Sequence, residues 1–199
     1  MTTPDLDAPR GLEKTIILGV GASVAAFKAI EVLRSLIAAG VNVWVCPTVD
    51  SLNFVGKATW ESLSGHPIHT DVFQTPDFIT HVTLASQADL FLTVGASADL
   101  MARFRMGLAD EFLTLVAITV DCPRLIAPSM HPTMWENAAT QDNAAVLRER
   151  GWRFIGPETG KLADNTYGIG RLSQPDVICD AVLAQLGFCL IYTSDAADD

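Results

Sequence analysis

Short, continuously apolar runs alternate along the chain with longer stretches of helical spacing. "KTIILGV" (14–20), "VNVWVCP" (41–47), "ADLFLTV" (88–94), "PRLIAPS" (123–129) and "WRFIG" (152–156) are rich in β-branched and aromatic residues. Runs of that kind predict strands buried on both faces. Between the first two, "ASVAAFKAIEVLRSLIAAG" (22–40) repeats its apolar positions every three or four residues and closes on Gly40, which predicts a helix with a glycine stop. "SADLMARFRMGLADEFLTLVAIT" (97–119) and "TMWENAATQDNAAVLRERG" (133–151) read as further helical stretches. The alternation predicts an α/β fold, a single doubly wound parallel sheet with helices on both faces.

Composition narrows the reading. With 199 residues, 49% hydrophobic and 18% charged, the chain can bury one sizeable core. Its net charge of -10 argues against nucleic acid, whose binding draws on basic stripes, and equally against an acidic membrane surface. No apolar run approaches the roughly 18–20 residues of a membrane span, and "MTTPDLDAPRGLEK" has no signal-peptide pattern. A cytoplasmic protein is expected. Cys46, Cys122, Cys179 and Cys189 show no CxxC spacing and read as reduced thiols. Residues 1–13 read as a disordered leader and 14–187 as the domain, in a flavodoxin- or Rossmann-like arrangement. The ending "FCLIYTSDAADD" (188–199) resembles translated adapter sequence and is expected to be a non-native tail.

In sheets of this type, ligands gather at the carboxyl ends of the strands. There "GVGAS" supplies Gly21, Ala22 and Ser23 at a helix start, where free N–H groups and the helix dipole favour a phosphate. The same small residues would equally allow tight strand–helix packing. "PTVDSLNF" adds the hydroxyls of Thr48 and Ser51. One phosphate held from two strand ends suggests a mononucleotide such as FMN. The third glycine of a dinucleotide fingerprint is missing, and no GK[ST] follows. After the fourth strand, "APSMHPTMWEN" (127–137) places two methionines, His131 and Trp135 where a polar turn would normally lie. Met130 and Trp135 read as an apolar crevice wall or as ordinary core; His131 reads as a substrate contact or a solvated loop residue. His81, just before the third strand, can take a thiol proton or simply sit at the surface. His66 and His69 are interrupted by a proline and have no third ligand nearby in sequence, so no metal site is expected.

Taken in order, these segments resemble the homo-oligomeric flavin-containing cysteine decarboxylases, which include phosphopantothenoylcysteine decarboxylase and peptidyl-cysteine decarboxylases of lantibiotic and related pathways. The family pattern P-x-M-N-x-x-M-W is similar to Pro128, Met130, Met134 and Trp135, with His131 in place of asparagine. "SVAAFKA", Thr48 with Phe54 and Val55, "GLAD" (107–110) and "GIGR" (168–171) match as well. "GASADL" keeps Ala96, Ser97 and Ala98 of the family's P-A-S-A-N-T, while Gly95, Asp99 and Leu100 depart from it. The resemblance implies FMN held by Gly21, Ala22, Ser23, Thr48, Ser51, Phe54, Ala96, Ser97, Ala98, Asp99 and Met130. It implies His81 as the catalytic histidine, and substrate contacts from Met130, His131, Met134, Trp135, Asp164 and Asn165.

"GPETGKLADNTYGIGRL" (156–172) resembles the family's mobile substrate clamp, but Ala163, Asp164 and Asn165 stand where phosphopantothenoylcysteine decarboxylases carry a reducing cysteine. That departure points to the peptide branch. The expectation is FMN-dependent oxidative decarboxylation of the C-terminal cysteine of a ribosomally made precursor peptide, giving an enethiol that a ring-forming partner enzyme would convert to aminovinyl-cysteine. The family implies a homotrimer or dodecamer. Alternatives are a phosphopantothenoylcysteine decarboxylase of coenzyme A synthesis, a flavin prenyltransferase and a non-enzymatic regulatory subunit.

Overall fold

The structure, a computed structural model, describes residues 14–71 and 80–188; the expected leader and most of the expected tail lie outside these. Five parallel strands, β1 (Thr15–Val20), β2 (Asn42–Pro47), β3 (Leu90–Ala96), β4 (Arg124–Pro128) and β5 (Trp152–Phe154), form one sheet in the order β2-β1-β3-β4-β5. All five expected strands are present, and the doubly wound expectation holds. The order reverses between β1 and β3, which opens a crevice at their carboxyl ends.

Side-chain alternation sorts the strands between two cores. Ile16, Leu18, Val20, Val43, Val45, Leu90, Leu92 and Val94 face one side and pack on α1 (Lys28–Ala38), α8 (Pro175–Leu186) and Trp60 of α2 (Lys57–Ser64). Ile17, Trp44, Phe91 and Ile126 face the other. They meet α3 (Thr80–Gln87), α4 (Ala98–Met106), α5 (Phe112–Thr119) and α7 (Ala138–Glu149). Both faces being covered is why the strands read as unbroken apolar runs.

Three sequence expectations need correction. The stretch 97–119 is two helices, because Gly107 takes φ +70 and caps α4, and Glu111 with Thr114 then opens α5 in a capping box. The stretch 133–151 divides likewise, into α6 (Pro132–Trp135) and α7, with Asn137 capping the latter. The expected clamp loop is largely an antiparallel hairpin, β6 (Glu158–Lys161) and β7 (Tyr167–Arg171). Its glycines hide it from a hydrophobic pattern. A Cβ on Gly168 would lie 2.6 Å from the Pro132 ring, and one on Gly170 2.2 Å from the Met130 carbonyl oxygen. Those gaps let β7 press against the segment after β4, where the Met130 N–H donates to the Gly170 carbonyl at 3.0 Å.

Candidate active site

At the switch point, β1 and β3 end against each other. The Gly21 N–H donates to the Val94 carbonyl at 3.0 Å, and a Cβ on Gly21 would lie 2.2 Å from the Gly95 carbonyl oxygen. Gly95 has φ +70, a conformation closed to proline. A Cβ there would meet the Ser23 hydroxyl at 2.8 Å. This departure from the family pattern therefore leaves room for Ser23. Ser23 heads a 3-10 turn, Val24–Phe27, that runs into α1, yet its side chain caps nothing. Its Oγ is enclosed and has no protein partner, a costly condition for a hydroxyl. Beside the first, unpaired N–H groups of the helical segment, this is the donor set a flavin phosphate requires.

Thr48 and Ser51 behave differently from expectation. Ser51 is fully buried; it donates its hydroxyl to the Thr48 carbonyl at 2.8 Å and its N–H to Thr48 Oγ1 at 3.2 Å. Ser51 therefore braces the loop, with its hydroxyl proton engaged by Thr48. Thr48 retains its own hydroxyl proton. Ala96 is fully buried and offers no side-chain contact. Ser97 caps α4 by accepting the Leu100 N–H. Ala98 lies half-buried behind it, whereas Asp99 and Phe54 are exposed.

A cleft of about 600 Å³, within the roughly 300–1,000 Å³ of small-molecule sites, runs from Ser23 to the hairpin. It is lined by Ser23, Val24, Ala25, Phe27 and Lys28 at the head of α1, by Ser129, Met130 and His131 after β4, and by Lys161 to Asp164, Arg171 and Leu172 of the hairpin segment. It joins Ser23, Met130, His131 and Asp164 from the expected site. The side chains of Met134, 46% exposed, and Trp135, 6% exposed in the second core, lie outside its walls. Trp135 packs in the second core at the end of α6. Asn165, at φ +68, shapes the hairpin tip and does not line the cleft. Lys28, Lys161 and Arg171 were missed, although all three fall within quoted segments.

His131 is the N-cap of α6. Its Nδ1 accepts the Thr133 N–H at 3.3 Å and lies 2.8 Å from Thr133 Oγ1. An acceptor at Nδ1 puts the neutral ring's proton on Nε2, which sits 3.4 Å from Asp164 Oδ2. The hydroxyl and N–H of Thr166 donate to Asp164 and hold its carboxyl below the usual 3.8. His131 thus presents an N–H donor to a carboxylate across the cleft.

His81 lies half-buried in the first turn of α3 and outside the walls of this cleft. His66 stacks on Trp44 at 4.0 Å, and His69 tilts against Phe112 at 5.2 Å. Among the described residues, no group of three His, Cys, Asp or Glu side chains could hold a metal. No helix among them is long and apolar enough to cross a membrane. Burial pushes the Cys46 thiol up to about 12, and Cys122 and Cys179 to about 11. None of the three lines the cleft.

The family described as Flavoprotein matches residues 9–187. The coenzyme A biosynthesis bifunctional protein CoaBC of Mycolicibacterium smegmatis is 46% identical over 92% of this chain, which spans 43% of that protein's length. A probable phosphopantothenoylcysteine decarboxylase of Streptococcus mutans is 36% identical over 88% of this chain and 100% of its own. Among solved structures, a PPC decarboxylase mutant complexed with pantothenoylaminoethenethiol superposes with TM-score 0.79 at 27% identity, covering 88% of this chain and 99% of the other. The FMN-dependent cysteine decarboxylase SpaF gives 0.75 at 28%, covering 87% and 97%. The expected cofactor, FMN, and the expected class, a flavin-dependent cysteine decarboxylase, agree with these matches. The expected peptide substrate does not. Relatives of coenzyme A synthesis at 46% and 36% identity overturn it, and the missing clamp cysteine was a poor guide to substrate.

Proposed function

The chain belongs to the Flavoprotein family, and from that membership we propose that it is an FMN-dependent decarboxylase of phosphopantothenoylcysteine, acting in the cytoplasm on the route to coenzyme A. The observation that carries this reading is the 46% identity spread over 92% of the chain, against 28% with SpaF. The chain covers less than half of the bifunctional relative, and the proposal concerns the decarboxylation alone.

When bound, FMN would supply reversible two-electron chemistry toward the carbon bearing the thiol. The protein binds and orients. The Ser23 hydroxyl and the adjoining helix start receive the flavin phosphate, with the Thr48 hydroxyl at the neighbouring strand end. Met130 gives the cleft its apolar floor. The His131 Nε2–H donates to the substrate carboxylate, which takes the place Asp164 Oδ2 occupies, and so fixes the carbon–carbon bond that breaks. The hairpin tip, Leu162 to Thr166, covers the substrate and excludes water. His81 does not reach the cleft of its own chain; it takes the thiol proton in the cleft of a neighbouring copy within a homotrimer, the arrangement the family resemblance implies. Val24, Phe27, Val49 and Phe54 are each about half exposed or more around the strand ends, an apolar rim that such assembly would cover.

The test is to incubate the purified yellow protein separately with phosphopantothenoylcysteine and with a peptide ending in cysteine. Phosphopantetheine formation from the first, with no mass change in the second, is the expected result. Turnover of the peptide alone would refute the reading.

A further inference from the structure

Three cations share one cleft in a chain whose net charge is -10. Lys28 enters from α1, Lys161 from the end of β6 and Arg171 from the end of β7. None of the three forms an ion pair or side-chain hydrogen bond with a described residue. Lys14, Lys57, Arg103 and Arg105 pair with carboxylates, and the other described cations without an ion pair, Arg34, Arg124, Arg148, Arg150 and Arg153, do not line the cleft. Among the described residues, the only acid lining the cleft is Asp164, already engaged by Thr166 and His131. Glu158 faces Arg171 in the hairpin register but makes no ion pair with it. Arg171 is half-buried, and its side chain lies along Gly160, where a Cβ would come within 3.0 Å of Cδ and 3.1 Å of Nη1. The glycine therefore leaves a bed for the guanidinium. A half-buried guanidinium and two ammonium groups without an acidic partner, lining one cleft, suit a dianion, and a phosphate monoester carries that charge.

We propose that Lys28, Lys161 and Arg171 form a phosphate subsite that binds the phosphate monoester of the substrate, distinct from the Ser23 cradle of the flavin. This rests on the proposed decarboxylation of phosphopantothenoylcysteine and supplies its specificity. Two of the cations, Lys161 and Arg171, stand on the β6–β7 hairpin, an element separate from the one that carries Ser23. Phosphate binding there draws the hairpin onto the substrate, so the group remote from the reacting carbon closes the site over it. A peptide ending in cysteine carries no phosphate monoester for these charges, only the carboxylate that His131 would hold.

The experiment compares kcat/KM for phosphopantothenoylcysteine and for pantothenoylcysteine in the flavin-loaded protein and in its Lys161→Met and Arg171→Met variants. Each substitution is expected to reduce the preference for the phosphorylated substrate by roughly ten- to a hundredfold, the range for loss of a charged hydrogen bond, mainly through KM. Lys57→Met, outside the cleft and paired with Glu61, should leave the preference as it was. An unchanged preference in both hairpin variants would overturn the proposal. Loss of FMN in step with loss of activity would also overturn it, by giving the cations to the flavin phosphate. Should the variants fold poorly, inorganic phosphate added to the unaltered holoenzyme decides. It should compete with the phosphorylated substrate and not with pantothenoylcysteine, against chloride at equal ionic strength; competition with neither, or equally with both, counts against the subsite. If the unaltered protein turns over neither compound, the proposed function fails; if it turns over both without preference, only the subsite does.

Discussion

At the residue scale, His131 does two jobs that substitution can separate. It caps α6 through Nδ1 and presents Nε2–H to the cleft. Removing a cap costs about 0.5–2 kcal/mol of stability, and losing a charge-assisted hydrogen bond costs about 1.5–3 kcal/mol in binding. His131→Ala should therefore lower both the unfolding midpoint and kcat/KM, the latter by roughly ten- to a hundredfold. His131→Asn restores a good cap and an N–H donor, and should recover most of both. If His131→Ala binds substrate and its analogue with the cysteine carboxylate replaced by a carboxamide in the same ratio as the parent protein, the carboxylate contact is wrong. His81 makes a cleaner case, because it lies outside the flavin cleft. His81→Asn should retain the yellow absorbance and lose turnover, and near-normal turnover would take the residue out of the mechanism. His131 was visible in the sequence because a motif surrounds it. Lys28, Lys161 and Arg171 were not: cations separated by up to 143 positions meet only once the sheet and hairpin are assembled.

At the element scale, the β6–β7 hairpin depends on what its glycines leave out. Gly170 (φ +143) and Gly40 (φ +81) both lie in the left-handed half of conformational space, but only Gly170 faces a backbone atom. Gly40→Ala should cost about 1 kcal/mol from conformation alone. Gly170→Ala adds a collision with the Met130 carbonyl and should cost more, with a loss of turnover as the hairpin lifts off the cleft floor; denaturant unfolding of both variants makes the comparison. Equal costs would mean that contact at Met130 does not anchor the hairpin. The hairpin tip has its own pH dependence. The Asp164 carboxyl is held below 3.8 by Thr166, so its contribution to the tip is fully present above the ordinary carboxylate range and is lost as pH falls through the lower folded value. The Thr166 amide resonance should titrate below pH 3.8, and a midpoint at or above it would show the tip bonds are not formed in solution. The parallel strands were legible because both faces of the sheet are apolar, whereas this hairpin was not, because "ETGK" and "YGIGR" carry few side chains that a periodic pattern can register.

At the scale of the whole molecule, the correction of substrate changes the electron balance. Peptide decarboxylation to an enethiol would remove two hydrogens with CO2 and require an outside acceptor to restore the flavin. Conversion of phosphopantothenoylcysteine to phosphopantetheine replaces a carboxylate with one hydrogen: the two electrons taken from the thiol-bearing carbon return to the same substrate, with one proton taken up net as CO2 leaves. The sequence argument tied that return to a clamp cysteine, yet Ala163, Asp164 and Asn165 contain none and the relatives still belong to coenzyme A synthesis. The described thiols do not replace it; burial raises Cys46, Cys122 and Cys179 to about 11–12, and none reaches the cleft. If the proposed decarboxylation holds, hydride return proceeds without a clamp thiol, in a cleft covered by the hairpin that docks through Gly170. Under strict exclusion of oxygen the protein should therefore complete many turnovers, give a product lighter by CO2 alone, and show oxidised flavin absorbance once substrate is spent. A reaction that stops after about one turnover per site with bleached flavin and an enethiol product would mean that this cleft releases its substrate before the electrons return.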